Sequence, residues 1–390
     1  MLKIGITTFS RTHNYGSLLQ SFALQQILLK KYHLDNEFIN YSNQAQREMY
    51  ALYSKPNSLK NVVKNLIFWK NKILIKQHFE DFEDFFKENL MSSNVDLHDG
   101  DIIPVDKYSL LVTGSDQVWN TDAYDFDEIY FLPFADELPK VAYACSLGGT
   151  NLLNKTDKIN LYKKYLEDFQ AISVRERNSQ TWISQLTKDE VDIVADPTLL
   201  LDKKDYLDYF DDQPLIEGKY IYYYGFKYEH DMNMKVKELG EKLGLPVYCL
   251  DAKKYHLKML RKYGFKISPH GGPKAFINLI NHCEVSVTTS FHGTVFSAIF
   301  QKPFFYLRKQ GIDAADDRAS YLLEQLELTS QDVPYSEIVA RSDELFSIDY
   351  GHVQDKISKL QEHSLKYIEN NIVQLISNED NYGKYIEKED

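Results

Sequence analysis

The sequence predicts an α/β fold built in two halves, and three observations carry that expectation. Residues 3–9 form a buried-strand run, which hands over through the polar loop 10–16 to an apolar-periodic helix at Leu18, Leu19, Phe22, Ala23, Leu24, Ile27 and Leu28. Strand, loop and helix in that order open a Rossmann-like half. The pattern then restarts, since strand 219–224, helix 232–243 and strand 246–250 follow the linker 202–217, whose Asp, Pro and Gly content suits a boundary. Finally, 390 residues exceed what one hydrophobic core usually supports. The expected division is a first Rossmann-like half at 1–205 with a helical insertion at about 45–95, a second at 206–345, and a closing helix at 346–390 that packs back toward the first.

Within the first half, residues 38–41 read as the second strand and 42–58 as a polar connection. Segment 59–90 is helical by its apolar spacing, including Leu66, Phe68, Trp69, Ile73, Phe79 and Phe82. Lys60, Lys64, Lys70, Lys72 and Lys76 make its start basic, and Glu80, Asp81, Glu83 and Asp84 make its end acidic. A basic helix bearing Trp and Phe can dock on an anionic membrane surface. A helix packed on the core with its lysines in water is the simpler expectation.

Strand 109–113 runs into Gly114-Ser115-Asp116-Gln117-Val118-Trp119-Asn120. Polar residues directly after a strand suggest a cleft-facing loop, with Asp116 as general base or hydroxyl acceptor and Trp119 as a sugar platform. A capped turn with a packed indole is the competing reading. Strand 171–174 delivers Arg175 and Glu176 at its end, where an arginine forks onto a carboxylate or phosphate, or simply pairs with Glu176. Segment 191–194 and the turn Asp196-Pro197-Thr198 follow.

The second half centres on 285–300. Its β-branched start suits a strand and its apolar end a helix. Between them lie Ser290, Phe291, His292, Gly293 and Thr294, at the strand-to-helix handover where backbone N–H groups converge on anions. Imidazole suits proton transfer near neutral pH, Gly293 allows close approach, and Thr294 can cap the helix. A buried, hydrogen-bonded histidine in an ordinary turn is the plain alternative. Strand 303–307 leads to a loop carrying Arg308, Lys309, Asp313, Asp316, Asp317 and Arg318, and a long helix spans Val353 to Leu375 by its spacing.

Composition narrows the function. A formal charge of −12 argues against a broad nucleic-acid footprint, so an anionic ligand needs a local basic pocket. The 28 Tyr and 22 Phe supply core volume and faces that suit carbohydrate. Cys145, Cys249 and Cys283 lie far apart, in no metal-like or redox-like pair, which points to a reducing cytoplasmic setting. No apolar run approaches a membrane span and no secretory leader pattern opens the chain, so any membrane contact is expected to be peripheral, at the inner face.

With these pieces in order, the chain resembles the polysaccharide pyruvyl transferase family over nearly its whole length. The carrying residues are Asn14-Tyr15-Gly16 with Leu19-Gln20, the Gly114 to Asn120 segment, Ser173-Val174-Arg175-Glu176 and Asp196-Pro197-Thr198. Gly272-Pro273 with Phe276, Ser290 to Thr294, and Lys302-Pro303-Phe304 complete the set. The resemblance implies an architecture similar to glycosyltransferase-B, with two Rossmann-like domains facing a cleft. It also implies transfer of the enolpyruvyl group of phosphoenolpyruvate onto two hydroxyls of a hexose, releasing phosphate and leaving a pyruvate ketal on a capsule or exopolysaccharide repeat unit, one still carried on a lipid. No cofactor or metal is expected.

His292 matches the family's catalytic histidine and Arg175 an arginine it uses for the phosphoenolpyruvate anion. Ser290, Gly293 and Thr294 join the donor side by position. Some members carry Arg-Leu-His where this chain has Ser290-Phe291-His292, so Arg308 or Arg318, with Lys309 behind them, are expected to replace the missing arginine. His13, Asn14, Tyr15, Gly16, Ser115, Gln117 and Trp119 are the acceptor-side candidates, and the base is left open between Asp116, His13 and a substrate group. Two other readings use the same scaffold: a nucleotide-sugar glycosyltransferase, and a non-catalytic glycan-binding relative that lost its donor site. Sugar identity, hydroxyl pair and oligomeric state are open.

Overall fold

A computed structural model describes residues 3–135, 137–308 and 316–377; Lys309 and Asp313 lie outside them. Two six-stranded parallel sheets organise the chain. The first comprises β1 (Lys3–Thr7), β2 (Asn36–Phe38), β3 (Tyr108–Asp116), β4 (Lys140–Cys145), β5 (Ala171–Val174) and β6 (Val191–Ile193), in the order β2-β1-β3-β4-β5-β6. The second comprises β7 (Ile221–Tyr224), β8 (Val247–Cys249), β9 (Lys266–Ile267), β10 (Val285–Thr288), β11 (Phe304–Arg308) and β12 (Asp332–Pro334), in the order β12-β11-β10-β7-β8-β9. Each sheet switches direction of travel beside its first strand, the position at which α/β proteins open a binding crevice.

Local chemistry sets where the elements begin. Asn14 starts α1 (Tyr15–Gln26) by accepting from the backbone N–H groups of Gly16 and Ser17 at 3.1 and 3.4 Å. The polar connection, at the start of the expected helical insertion, holds a short helix, α2 (Gln44–Tyr50), whose first turn the Asn43 side chain caps by accepting from Gln46 N–H at 2.8 Å. The helix expected over 59–90 is two, α3 (Leu59–Lys70) and α4 (Lys72–Asn89). Asn71, at φ −113° and ψ 25°, leaves the helical region between them.

Part of the aromatic surplus forms a seam between the halves. Tyr15 from α1 stacks on Phe276 with ring centres 5.6 Å apart, meets Tyr224 edge-on at 5.6 Å, and lies 4.8 Å from Phe82 of α4. Phe276 in turn faces Tyr224, Phe296 and Tyr222 at 5.2, 5.5 and 6.1 Å. A single apolar cluster therefore runs from Ile4 and Ile6 through Phe276 to Phe296. The helix Tyr350–Ile368 closes on the first sheet: Tyr367 donates to the Ala142 carbonyl at 3.0 Å and Ser364 Oγ accepts from Ala195 N–H at 2.8 Å.

Because Phe276 is fully buried among four aromatic rings and cannot be replaced by relaxation of one neighbour, Phe276→Ala is expected to destabilise the protein by about 3–5 kcal/mol. Chemical denaturation of the two proteins measures this, and a loss under about 1 kcal/mol would show that the seam carries little of the stability.

Candidate active site

The ends of β3 and β5, the turn after β6 and the start of the helix Phe291–Ile299 converge on one buried point. Arg175, just beyond β5, exposes 1% of its side chain. Its Nη2 donates to Asp116 Oδ1 at 3.1 Å and its Nη1 to Asp196 Oδ2, while Nε lies 3.8 Å from Glu176 Oε2 without completing a hydrogen bond. Asp116 ends β3 at φ 76°, a left-handed conformation that a short polar side chain tolerates better than most. Its second oxygen accepts from Ser17 of α1.

Asp196 is divided between two tasks. Its Oδ1 caps the Pro197–Leu200 turn, accepting from Thr198 N–H at 3.0 Å and Thr198 Oγ1 at 2.6 Å. Its Oδ2 meets Arg175 on one side, and His292 Nε2 lies 3.5 Å away on the other without a completed hydrogen bond. The far edge of the imidazole rests on Gly16. A Cβ built there would sit 2.0 Å from His292 Nδ1, so only glycine lets α1 of the first half approach the histidine of the second.

Charge and burial compete differently at each carboxyl. Burial alone would raise Asp196, but His292 and Arg175 beside it prevail and hold it well below the usual carboxylate range. Asp116 is likewise lowered against burial by Arg175 and His292, helped by Ser17. At Glu176 burial prevails over Arg175 and Ser179, and its carboxyl is pushed up to about 7.

Beside this centre opens a cleft of ≈ 1040 Å³, lined among others by Gln117, Thr289, Phe291, Arg308 and Arg318. Arg318 holds Asp316 in a fork, Nε and Nη2 donating at 2.8 and 2.6 Å. Its guanidinium lies 6.0 Å from the Phe291 ring, and that of Arg175 lies 4.7 Å from the same ring. A smaller cavity of ≈ 200 Å³ is walled by Arg11, His13, Gln46, Tyr50, Phe79 and Glu83, among others.

A family model described as polysaccharide pyruvyl transferase matches residues 14–308, a span that takes in every group of this centre. The chain belongs to that family. No curated protein sequence matches the transferase significantly. Among solved structures, the S. aureus MnaA–UDP co-structure is similar to it at a TM-score of 0.51 and 11% identity, over 95% of this chain and 96% of that one. The UDP-GlcNAc 2-epimerase from Neisseria meningitidis bound to UDP-GlcNAc scores 0.48 at 12% identity, over 94% and 100% of the two chains. At these identities the likeness concerns fold alone. The first of them supports the architecture of two Rossmann-like domains facing a cleft, of glycosyltransferase-B type.

The transferase brings His292, Asp116, Arg175 and Gly16 together, and Gln117 and Arg318 adjoin them. Gln117 sets its carboxamide against Arg318, with its oxygen, when turned toward the guanidinium, 2.7 Å from Nη1. Arg308 stands apart at the cleft rim, over half exposed and 3.0 Å from Asp332. His13 lies in the smaller cavity, bonded to Glu83 at 2.7 Å and stacked on Phe82, and burial lowers its pKa.

Several expected contacts are corrected. Trp119 is no sugar platform: its indole is fully buried, stacked on Phe131 and bonded to the Tyr130 carbonyl at 3.0 Å. Ser115 is equally buried and donates to the Ala144 carbonyl, Tyr15 is consumed by the aromatic seam, and Asn14 is a helix cap. On the donor side, Ser290 Oγ accepts from Gly293 N–H, Thr294 Oγ1 donates to the Ser290 carbonyl, and Gly293 is pressed against Thr288. These three build the helix start and leave no side chain for a ligand. Asp196, Glu176, Ser17 and Asp316 were not singled out as site residues. The sequence signals were an Asp-Pro-Thr turn directly after a strand and an acid next to Arg175. Among the described residues, no group of three or more His, Cys, Asp or Glu is arranged to hold a metal ion.

The raised carboxyl of Glu176 makes stability depend on pH. Its folded value lies above the 4.5 of an unperturbed group, so its contribution is complete below pH 4.5 and is lost as pH climbs through 7. Glu176→Gln is expected to remove this slope, leaving the variant less sensitive than the parent between pH 5 and 8 by roughly 3 kcal/mol. Parallel melting curves across that range test it, and identical slopes would show that the acid is ionised throughout.

Proposed function

We propose that the protein is a ketal pyruvyltransferase that takes the enolpyruvyl group of phosphoenolpyruvate and places it on two hydroxyls of a hexose in a surface glycan, without a cofactor. The observation that supports this reading is the convergence of an imidazole from one half and a guanidinium from the other on the same oxygen, Asp196 Oδ2. Asp196 is held as a carboxylate 3.5 Å from His292 Nε2, where it can orient the ring proposed to act as the acid.

In the proposed reaction His292 gives its proton to the enol methylene, and the carbon bearing the phosphate becomes electrophilic. A sugar hydroxyl adds there and returns a proton to His292. The carbon–oxygen bond to phosphate then breaks, and the second hydroxyl closes the ketal while its proton leaves on phosphate. His292 thus serves as acid and base in turn. Asp116, held low and sealed between Arg175 and Ser17, is a poor proton acceptor and acts by fixing Arg175.

Arg318 is the better placed arginine for the donor. It lines the cleft with 14% of its side chain exposed, whereas Arg175 is saturated by carboxylates. The glycan, neutral or lipid-carried, fits the remainder of a cleft far larger than a three-carbon phosphoester. That same volume also admits a nucleotide sugar, and S. aureus MnaA was solved with UDP. Thermal-shift titration separates the readings, because stabilisation by a uridine or guanosine diphosphate sugar but not by phosphoenolpyruvate favours a glycosyltransferase.

His292→Ala is expected to lower phosphoenolpyruvate-dependent phosphate release, with galactoside or mannoside acceptors, by about 10²–10⁴-fold while the far-ultraviolet spectrum is unchanged. Mass spectrometry of the parent reaction should show the acceptor heavier by one ketal-linked pyruvate. Undiminished turnover in the variant removes His292 from the chemistry.

A further inference from the structure

The helix pair α3 and α4 turns an apolar stripe toward solvent. Leu59, Val62, Val63, Leu66 and Trp69 recur at helical spacing on one face, and Ile73 continues the stripe past Asn71. Leu59 is 80% exposed, Trp69 57% and Ile73 84%. The opposite side is the packed one, where Phe68 and Ile75 are buried against Ala252 of the second half. The expected core contact exists and Lys60, Lys70 and Lys72 face water, but an apolar face is left over as well. Scattered apolar residues on a surface need no explanation, but a continuous row of six does.

The charge around that row is as uneven as its polarity. From Lys55 to Lys76 the chain carries six lysines and no Asp or Glu, within a protein of net charge −12. Lys55 is tied to Glu48 at 2.5 Å and Lys76 to Glu80 at 3.1 Å, while Lys60, Lys70 and Lys72 have no carboxylate partner among the described residues. The Lys72 ammonium lies 5.6 Å from the Trp69 ring, so charge and indole share one edge of the stripe.

We infer that this face docks on an anionic lipid bilayer, with the apolar row in the headgroup boundary and the lysines on lipid phosphates. Charge chooses this occupant. A second copy of the chain would bring the same lysines against each other, and like charges across an interface oppose pairing. A bilayer rich in acidic lipid supplies the opposite sign over the whole face, and Trp is a residue type suited to that depth. Among the described residues no helix is long and apolar enough to cross a membrane, so the contact is peripheral. Farther along α4, Phe79, Phe82 and Glu83 wall the smaller cavity, so docking brings that cavity close to the lipid surface. The inference does not depend on pyruvyl transfer.

Sedimentation of the full chain with vesicles tests it. Binding is expected to vesicles of phosphatidylcholine and phosphatidylglycerol in equal parts, and not to phosphatidylcholine alone. Leu66→Glu with Trp69→Glu should abolish pelleting. Lys60→Gln, Lys70→Gln and Lys72→Gln combined should weaken it roughly a hundredfold at low salt. All five side chains lie on the outer surface, and circular dichroism confirms that the variants fold. Absence of binding to the mixed vesicles overturns the inference, as does binding that neither variant changes. If the Leu66 and Trp69 variant alters only the molar mass seen by light scattering, the face is a protein interface and the inference also falls.

Discussion

The Arg175 guanidinium is the charge on which the centre depends. Asp116, Asp196 and Glu176 are brought within its reach from the ends of β3 and β5 and the turn after β6, and all three are buried. Desolvating that many carboxylates costs several kcal/mol for each ion unless an opposite charge meets it with good geometry. Two of them find it in the two arms of Arg175; the third, touching only its Nε without a hydrogen bond, retains its proton up to about pH 7. The strand ends of the first sheet therefore hold their positions through one shared cation, and Asp196 presents its remaining edge to His292.

This arrangement changes what an arginine at a strand terminus does. A guanidinium already forked between two carboxylates has little left for a ligand, so Arg175 positions Asp116 and Asp196. Arg318, 6.0 Å from the Phe291 ring, instead lines the open volume. Phe291 lies near both guanidinium groups, 4.7 Å from Arg175 and 6.0 Å from Arg318, where the buried ion cluster adjoins the open cleft.

The two halves meet in a way that serves the same centre. Gly16 opens α1 at the point where any side chain would collide with His292, and one residue earlier Tyr15 enters the aromatic seam with Phe276 and Tyr224. Packing at Tyr15 therefore sets the approach of the imidazole to Asp196. Part of the abundance of Tyr and Phe, which suggested sugar-stacking faces, goes into this seam and into the Trp119, Phe131 and Tyr162 stack in the first half.

The sequence by itself determined the repeated strand–loop–helix order, the strand-to-helix handovers and the presence of His292, Arg175 and Asp116 at them. These are local properties: side-chain periodicity and capping chemistry act over a few residues and need no distant partner. The bounds of the helix at Gln44–Tyr50 and the break at Asn71 were not legible, because a single capping side chain or one non-helical residue decides each against an unchanged apolar pattern. Only the tertiary structure decided which charges pair, that Trp119 is sealed, that Ser290 caps the helix while Thr294 bonds back to its carbonyl, and that the α3 stripe points outward. Each of those depends on contacts between residues tens to hundreds of positions apart, where burial sets the strength of every charge and no local pattern records which partner will be in reach.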